Sequence, residues 1–218
     1  PRLLEVVAAN PRIVRYLDTP MQHGADAVLA RMRRPERQKT IRERLARYRD
    51  IVPDLAVRTT VIVGFPGETE ADFQELCEFL EEMQFDRVGC FTYSPQEGTK
   101  AYDLDDDVDE SVKRERKERI EELQRAITGE RYERFLGRDT RVLVDRAGDT
   151  PGQLIARAPW QADDIDGVVH LAGEAPIGSF VDVRIEQVVD DYECRATWLQ
   201  LADAPHPAAR RASRTLPI

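Results

Sequence analysis

Cysteine, histidine and long apolar runs are all scarce in this sequence. Its 218 residues include three cysteines and three histidines. The cysteines, Cys77, Cys90 and Cys194, are too scattered for a disulfide framework or a metal-ligand cluster, which favours a reducing, cytoplasmic setting. No run approaches the roughly eighteen apolar residues of a membrane-spanning helix, and residues 1–10 lack the features of a secretory signal. These absences disfavour membrane insertion and export.

The overall composition is that of a soluble protein with one or two domains. Hydrophobic residues make up 41% and charged residues 33% of the chain, and the formal net charge is -9. The first residue is Pro1 and not methionine, and Leu3 to Ala9 has the pattern of the last turns of a helix. We therefore expect the chain to begin in the middle of a fold.

The first part of the chain alternates strand and helix patterns, which predicts an α/β fold. Strands are predicted at 14–17, 56–63 and 85–93, and helices at 25–34, 36–52, after Thr69, and at 109–134. Three consecutive βα units imply a parallel sheet covered by helices. Thr69 and Asp72 form a variant capping box at the start of one helix.

After Gly137 the pattern changes to short strands separated by Gly, Pro and Asp. Five are predicted, at 140–145, 153–158, 167–171, 180–189 and 193–199. Five short strands in so few residues indicate a small closed β-barrel. We thus divide the chain into domains at 1–133 and 134–202, followed by a disordered tail at 203–218.

Candidate ligand-binding residues follow the predicted strands, since parallel α/β folds bind ligands at the carboxyl ends of their strands. They are Gln22 and His23, then Gly64 to Glu68, then Tyr93 to Glu97. The glycines around Pro66 allow a tight turn, although an ordinary βα turn before a capped helix is the simpler interpretation. A lone histidine such as His23 is more often structural than catalytic.

Three charged segments have simple structural interpretations. Arg31 to Arg49 contains nine basic residues against two glutamates, which suggests an RNA-facing patch or, more simply, a solvated helix face. Asp103 to Glu110 contains six acidic residues in eight, as expected of a solvated loop, with a divalent-ion site as the alternative. Lys113 to Glu133 alternates charges at helical spacing, which predicts an exposed helix connecting two domains.

Four strings of residues together resemble the radical S-adenosylmethionine methylthiotransferases. They are Tyr16-Leu17-Asp18-Thr19-Pro20-Met21-Gln22-His23, Met32-Arg33-Arg34, the string from Arg58 to Thr69 (RTTVIVGFPGET), and the string from Phe85 to Ser94 (FDRVGCFTYS). The first and third are most similar to the bacterial branch that modifies an aspartate of the twelfth protein of the small ribosomal subunit. The resemblance covers nearly all of residues 11–200.

The resemblance implies the second half of a radical SAM partial (βα) barrel followed by a small, OB-like TRAM β-barrel. It also implies S-adenosylmethionine and two [4Fe-4S] clusters in the intact protein. The CxxxCxxC motif that holds the radical cluster is absent from this chain, and three scattered cysteines cannot replace it. We therefore expect no metal ligands here and no activity from these residues alone.

The resemblance further implies a set of cofactor-binding residues, although it assigns no catalytic residue. They are Gln22, Arg58, Thr60, Ile62, Gly64, Phe91 and Tyr93. The wider superfamily pattern GxIxGxxE is only partly matched, because Thr60 replaces its first glycine and Gly67 stands at the position of its glutamate. The strand thus matches the branch more closely than the superfamily.

The resemblance implies that the intact protein transfers a methylthio group to the β-carbon of the ribosomal-protein aspartate. Two other functions are the alternatives. One is the sister activity on an adenosine of transfer RNA, and the other is a non-catalytic substrate-binding fragment. Residues 136–202 contain six arginines against twelve acidic side chains, a net charge of -6. That field repels phosphate and attracts a basic ribosomal protein, so direct RNA binding is the less favoured alternative.

Overall fold

The computed structural model describes residues 2–189 and 192–201, and the predicted tail at 203–218 lies outside them. The first part contains α1 (Arg2–Ala9), β1 (Tyr16–Asp18), α2 (Asp26–Arg31), α3 (Gln38–Ile51), β2 (Ala56–Val63), α4 (Glu70–Met83), β3 (Arg87–Thr92) and α5 (Glu110–Tyr132). A 3₁₀ turn (Glu133–Phe135) leads to β4 (Asp139–Ala147), β5 (Gln153–Arg157), β6 (Val169–Ala172), β7 (Phe180–Val189) and β8 (Glu193–Leu201). None of the helices in the described ranges is long and apolar enough to cross a membrane.

The three strands of the first part form a parallel sheet in the order β1-β2-β3, as the βα pattern predicts. Successive residues of a strand point to opposite faces of a sheet. On β2 the side chains of Val57, Val61 and Val63 are fully buried against the helices. The alternate residues Arg58 and Ile62 are half-buried on the opposite face.

We call that opposite face the inner face, and the strand register pairs its residues across β2 and β3. Arg58 lies beside Arg87, Thr60 beside Gly89, and Ile62 beside Phe91. These three pairs define the inner face from the amino ends to the carboxyl ends of the two strands. Helices α1, α3, α4 and α5 pack on the other side of the sheet, whereas on the inner face Ile62 packs near Val28 of α2.

Helix α5 is not the exposed connector that its charge pattern predicts. Seven of its residues are buried: Lys113, Arg116, Ile120, Gln124, Ile127, Thr128 and Tyr132. Gln124 donates to the carbonyl of Phe85 at 3.0 Å, and Arg131 contacts the buried carboxylate of Asp86 at 2.9 Å. The prediction was wrong because long basic side chains bury their aliphatic stems when carboxylates satisfy their charged ends.

Strands β4 to β8 close into a barrel in the order β4-β5-β6-β8-β7, as predicted. Its core contains Val142, Val144, Val181 and Val183, all fully buried. Ala56 of the sheet belongs to this same apolar cluster, and Tyr16 packs against it. The barrel therefore closes the amino end of the inner face and leaves the carboxyl end open.

Candidate functional site

A cavity of about 970 Å³ lies at the carboxyl end of the inner face. Its floor contains Thr60, Ile62 and Phe91, and residues after each of the three strands form its walls. Phe91 is 57% exposed, which is unusual for a phenylalanine in a sheet. The cavity therefore combines an open apolar floor with polar walls, as small-molecule sites commonly do.

Gln22 lines the cavity and has an unfavourable backbone conformation. Its φ is +76°, in the left-handed region that non-glycine residues rarely adopt. Its backbone is fixed by two hydrogen bonds to β2, because Gln22 N donates to the carbonyl of Thr60 at 2.9 Å and Ile62 N donates to the carbonyl of Gln22 at 2.8 Å. Strain that the surrounding structure maintains in this way is typical of functional sites.

The βα turn after β2 is held by the carboxylate of Glu68, which accepts hydrogen bonds from Gly64 N at 2.8 Å and Phe65 N at 3.3 Å. The other carboxylate oxygen is 2.9 Å from a guanidinium nitrogen of Arg116. His23 is fully buried, with Nδ1 accepting from Ala25 N at 2.9 Å, which is the structural role expected of it. Glu68 is therefore fully engaged in shaping the turn.

Lys113 of α5 supports the same turn from below. Its aliphatic stem lies directly under Gly64, where an added Cβ would collide with Lys113 Cγ. Its ammonium group is 2.7 Å from carboxylate oxygens of both Asp106 and Glu110. Sequence reasoning missed both Lys113 and Arg116, because neither has any local signal for burial within a charged helix.

The acidic loop 103–110 is largely exposed, as expected, and its residues Leu104 and Asp105 also line the cavity. Asp107 accepts a hydrogen bond from Gly67 N at 2.7 Å, and Asp106 contacts Lys113. Tyr93 donates its hydroxyl hydrogen to the carbonyl of Ala101 at 2.8 Å. Three separate contacts thus fix this wall. No cluster of metal-ligating side chains occurs there or elsewhere in the described ranges.

The basic segment 31–49 is largely paired with neighbouring acids and carbonyls. Arg42 forms a bidentate pair with Glu82 at 2.7 Å, and Arg31 is 3.1 Å from Asp72. These pairs fit a solvated helix face better than an RNA-binding surface. Arg31, Arg33 and Arg34 also line the cavity.

Five of the seven predicted cofactor-binding residues meet in the cavity. Those lining it are Gln22, Thr60, Ile62, Phe91 and Tyr93. Gly64 lies behind the wall, facing Lys113, and Arg58 lies at the other end of the inner face. Gly64 can therefore act only through the shape of the turn, and Arg58 through the junction with the barrel.

That junction is built around Asp166, a fully buried carboxylate on the loop between β5 and β6. Tyr16 donates its hydroxyl hydrogen to Asp166 Oδ2 at 2.5 Å, and the guanidinium Nε atoms of Arg87 and Arg58 lie 3.2 and 3.5 Å from Oδ1. Arg87 also stacks over the ring of Tyr192 at 3.6 Å. One carboxylate of the barrel thus binds three side chains of the sheet.

Comparison with known proteins agrees with this architecture. Residues 1–80 match the model of the radical SAM superfamily, and residues 136–198 match the model of the TRAM domain. Proteins named ribosomal protein uS12 methylthiotransferase RimO are similar along most of the chain. That of Pectobacterium atrosepticum is 46% identical over 85% of this chain, and that of Roseiflexus sp. is 42% identical over 98%.

This chain is similar to the radical SAM methylthiotransferases along most of its length. The RimO-named protein of Thermosynechococcus vestitus is also similar, at 43% identity over 85% of this chain. The chain spans 42%, 42% and 45% of the lengths of the Thermosynechococcus, Pectobacterium and Roseiflexus proteins, respectively. In this chain, most of the residues that the resemblance singles out lie at the open end of the sheet.

The cavity fits S-adenosylmethionine, which the superfamily implies. Its volume lies within the range of about 300–1,000 Å³ typical of small-molecule sites. Phe91 and Ile62 offer apolar surface to a planar base. The side-chain polar atoms of Gln22 and Thr60 make no hydrogen bond to another described residue, so both are available to a ligand.

The cysteines do not fit an iron–sulfur cluster. Cys77, Cys90 and Cys194 are all buried, the first two in the core between the sheet and its helices and the third in the core of the barrel. Burial raises the pKa of Cys90 and of Cys194 to about 12. Cluster ligation needs several converging thiolates, whereas only two of these thiols share one core, and burial favours their protonated form.

Anaerobic reconstitution of these 218 residues with iron and sulfide is therefore expected to give no visible absorbance from a cluster. The control is the variant with Cys77, Cys90 and Cys194 all replaced by serine, which should give the same spectrum. A cluster spectrum in the unaltered chain that disappears in this variant would contradict the argument from burial.

Proposed function

We propose that this chain forms the cofactor- and substrate-holding part of an enzyme that transfers a methylthio group to an aspartate β-carbon of ribosomal protein uS12. The observation that supports this most directly is the strand-end cavity, which gathers five of the residues implied by the family resemblance. The names of the relatives supply the substrate. A substrate of this kind also implies a cytoplasmic enzyme.

The residues of the cavity would bind the cofactor and exclude water. Together with a reduced iron–sulfur cluster, S-adenosylmethionine supplies the radical chemistry that a carbon–hydrogen bond requires. Phe91 and Ile62 would contact its base, and Gln22 and Thr60 would bind its polar groups. Tyr93, whose hydroxyl is already bonded to Ala101, would hold the wall closed. We place the cluster ligands outside these 218 residues and expect the isolated chain to be inactive.

The charges of the barrel favour a protein substrate over RNA. Of its arginines, Arg141 pairs with Asp182 at 2.9 Å, Arg184 with Asp139 at 2.7 Å, and Arg157 with Asp163 at 3.0 Å. These guanidinium groups are therefore neutralised within the barrel and are poorly placed to bind phosphates. The remaining acidic surface attracts a basic partner.

Titration of the 218-residue chain with labelled uS12 and with transfer RNA tests this proposal. We expect uS12 to bind more tightly, with an affinity that falls as salt concentration rises. A double charge reversal in barrel loops, Asp149→Lys with Glu174→Lys, should weaken uS12 binding by about threefold or more.

The matched control is Glu115→Lys with Glu118→Lys, which makes the same charge change at exposed positions of α5. It should leave uS12 affinity within about twofold, because screening limits the reach of surface charges to roughly 10 Å. Tighter, salt-dependent binding of transfer RNA would favour the sister activity on adenosine. Equal effects of the two double variants would exclude a specific role of the barrel.

A further inference from the structure

We infer that Arg33, at the mouth of the cavity, is a specificity-determining residue that binds the side-chain carboxylate of the substrate aspartate. This inference rests on the function proposed above. It adds that the site recognises the carboxylate of the substrate, and that Arg33 is the residue that binds it.

The mouth of the cavity is cationic although the chain as a whole is acidic. Arg33 and Arg34 lie on one side and Lys100 lies on the facing loop, with Asp105 as the acidic residue of the same lining. Within the described part of the chain, the guanidinium groups of Arg33 and Arg34 and the ammonium group of Lys100 have no hydrogen-bond or ion-pair partner. Arg31, the neighbouring cation, is already paired with Asp72. Unpaired cations at the entrance to a cavity favour an anionic ligand.

The backbone at Arg33 supplies a second, independent observation. Helix α2 ends there, with Arg34 N donating to the carbonyl of Leu29 at 2.9 Å and Arg33 N to that of Ala30 at 3.0 Å. Arg33 has a φ of +57°, in the left-handed position at a helix end where glycine is usual. An arginine in this position is unfavourable for folding, and Arg33 lines the cavity. Such strain is a reason to assign the side chain a functional role.

Arginine also suits the chemistry of the target. Its planar guanidinium forms two parallel hydrogen bonds to a carboxylate, which fixes the orientation of the carboxylate as well as its position. In an aspartate bound through its carboxylate, the β-carbon is bonded directly to the carboxylate carbon and is therefore held in place with it. Charge and geometry together thus select aspartate over asparagine and alanine at the reacting position.

A double-mutant cycle on the 218-residue chain tests the inference. The protein variant is Arg33→Gly, and the probe is labelled uS12 in which each aspartate in turn is replaced by asparagine. We expect Arg33→Gly to weaken binding of unaltered uS12 by about tenfold or more. We also expect one uS12 variant to lose a similar factor, with no further loss when the two changes are combined.

Two variants separate this role from a structural one. Gln84→Gly also relieves a left-handed residue at a helix end, with a φ of +50°, but lies outside the cavity lining. Both glycine variants should keep or raise the unfolding temperature by about 2–4 °C, and only Arg33→Gly should lose uS12 affinity. Arg47→Ala removes an exposed cation of α3 and should leave binding unchanged, so a loss there would assign the effect to net charge.

The cofactor and nucleic acids are the other sources of an anion, and each has its own measurement. If Arg33 held the carboxylate of S-adenosylmethionine, Arg33→Gly would weaken binding of that compound but not of its decarboxylated analogue. We expect both to be unaffected. A larger loss for transfer RNA than for uS12 would assign Arg33 to phosphate, and either result would overturn the inference.

The remaining outcomes separate the inference from the proposed function. Undiminished uS12 binding by Arg33→Gly, or additive losses with every aspartate variant, would overturn the inference and leave the proposed function intact. Failure of unaltered uS12 to bind the unaltered chain would overturn both.

Discussion

Replacing Asp166 by asparagine is expected to lower the free energy of unfolding by about 3–5 kcal/mol. Asp166 is fully buried at the junction of the sheet and the barrel, within 3.5 Å of Tyr16, Arg87 and Arg58. Removal of its charge leaves Arg87 and Arg58 without that carboxylate in a poorly solvated place. Urea unfolding of the full chain measures the effect.

Asp164→Asn is the matched control, since Asp164 is an exposed residue of the same loop. Asparagine tolerates the left-handed backbone of this position, where φ is +61°, so the change should be less than about 0.5 kcal/mol. Equal effects of the two variants would mean that the buried carboxylate does not stabilise the junction.

The hydrogen bond between Tyr16 and Asp166 should also affect how the free energy of unfolding changes at alkaline pH. Burial, and then the hydrogen bond to Asp166, raise the pKa of Tyr16 above its ordinary value. The folded state therefore keeps this proton at a pH where the unfolded chain loses it. Its stabilising contribution is complete below about pH 10 and is lost as the pH rises further. The loss should be smaller in Asp166→Asn, because one cause of the raised pKa is removed.

Gly64→Ala is the second large change, with an expected cost of about 2–4 kcal/mol. The φ of Gly64 is +72°, and the new Cβ would collide with the stem of the buried Lys113. The strained backbone and the overpacking both contribute. Because the turn forms part of the cavity wall, the affinity for S-adenosylmethionine should fall as well.

Gly98→Ala measures the backbone strain without the packing part of this cost. Gly98 has a similar φ of +80°, but no atom lies within 4 Å of an added Cβ. It should therefore cost only about 1 kcal/mol, from backbone strain. If Gly64→Ala and Gly98→Ala cost the same, contact with Lys113 has no part in the effect.

Local patterns predicted the strands and helices well where one face of an element is plainly apolar. The strand 56–63 has the predicted bounds, and the capping box of Thr69 and Asp72 forms with hydrogen bonds of 2.9 and 3.2 Å. Element ends were less accurate. For example, α2 ends at Arg31 instead of Arg34, because Arg33 leaves the helical conformation.

Most residues of the cavity floor could also be predicted from the sequence. Residues after consecutive parallel strands meet at one edge of the sheet, and the family resemblance singled out Gln22, Thr60 and Phe91 among them. Lys113 and Arg116 were missed as supports of the site, and Glu68 was named only within a candidate ligand-binding segment. Their burial depends on partners 48 positions apart, as for Arg116 and Glu68, or on an adjoining loop.

The sequence by itself determined the α/β part, the closed barrel and the resemblance to the radical SAM methylthiotransferases. Periodicity and turn chemistry act over a few residues, so they can be recognised in a linear string. The tertiary structure alone decided that α5 supports the cavity, that Asp166 joins barrel to sheet, and that Arg33 is a strained cation at the cavity mouth. These features depend on which distant residues satisfy a buried charge, and Asp166 and Arg87 are 79 positions apart.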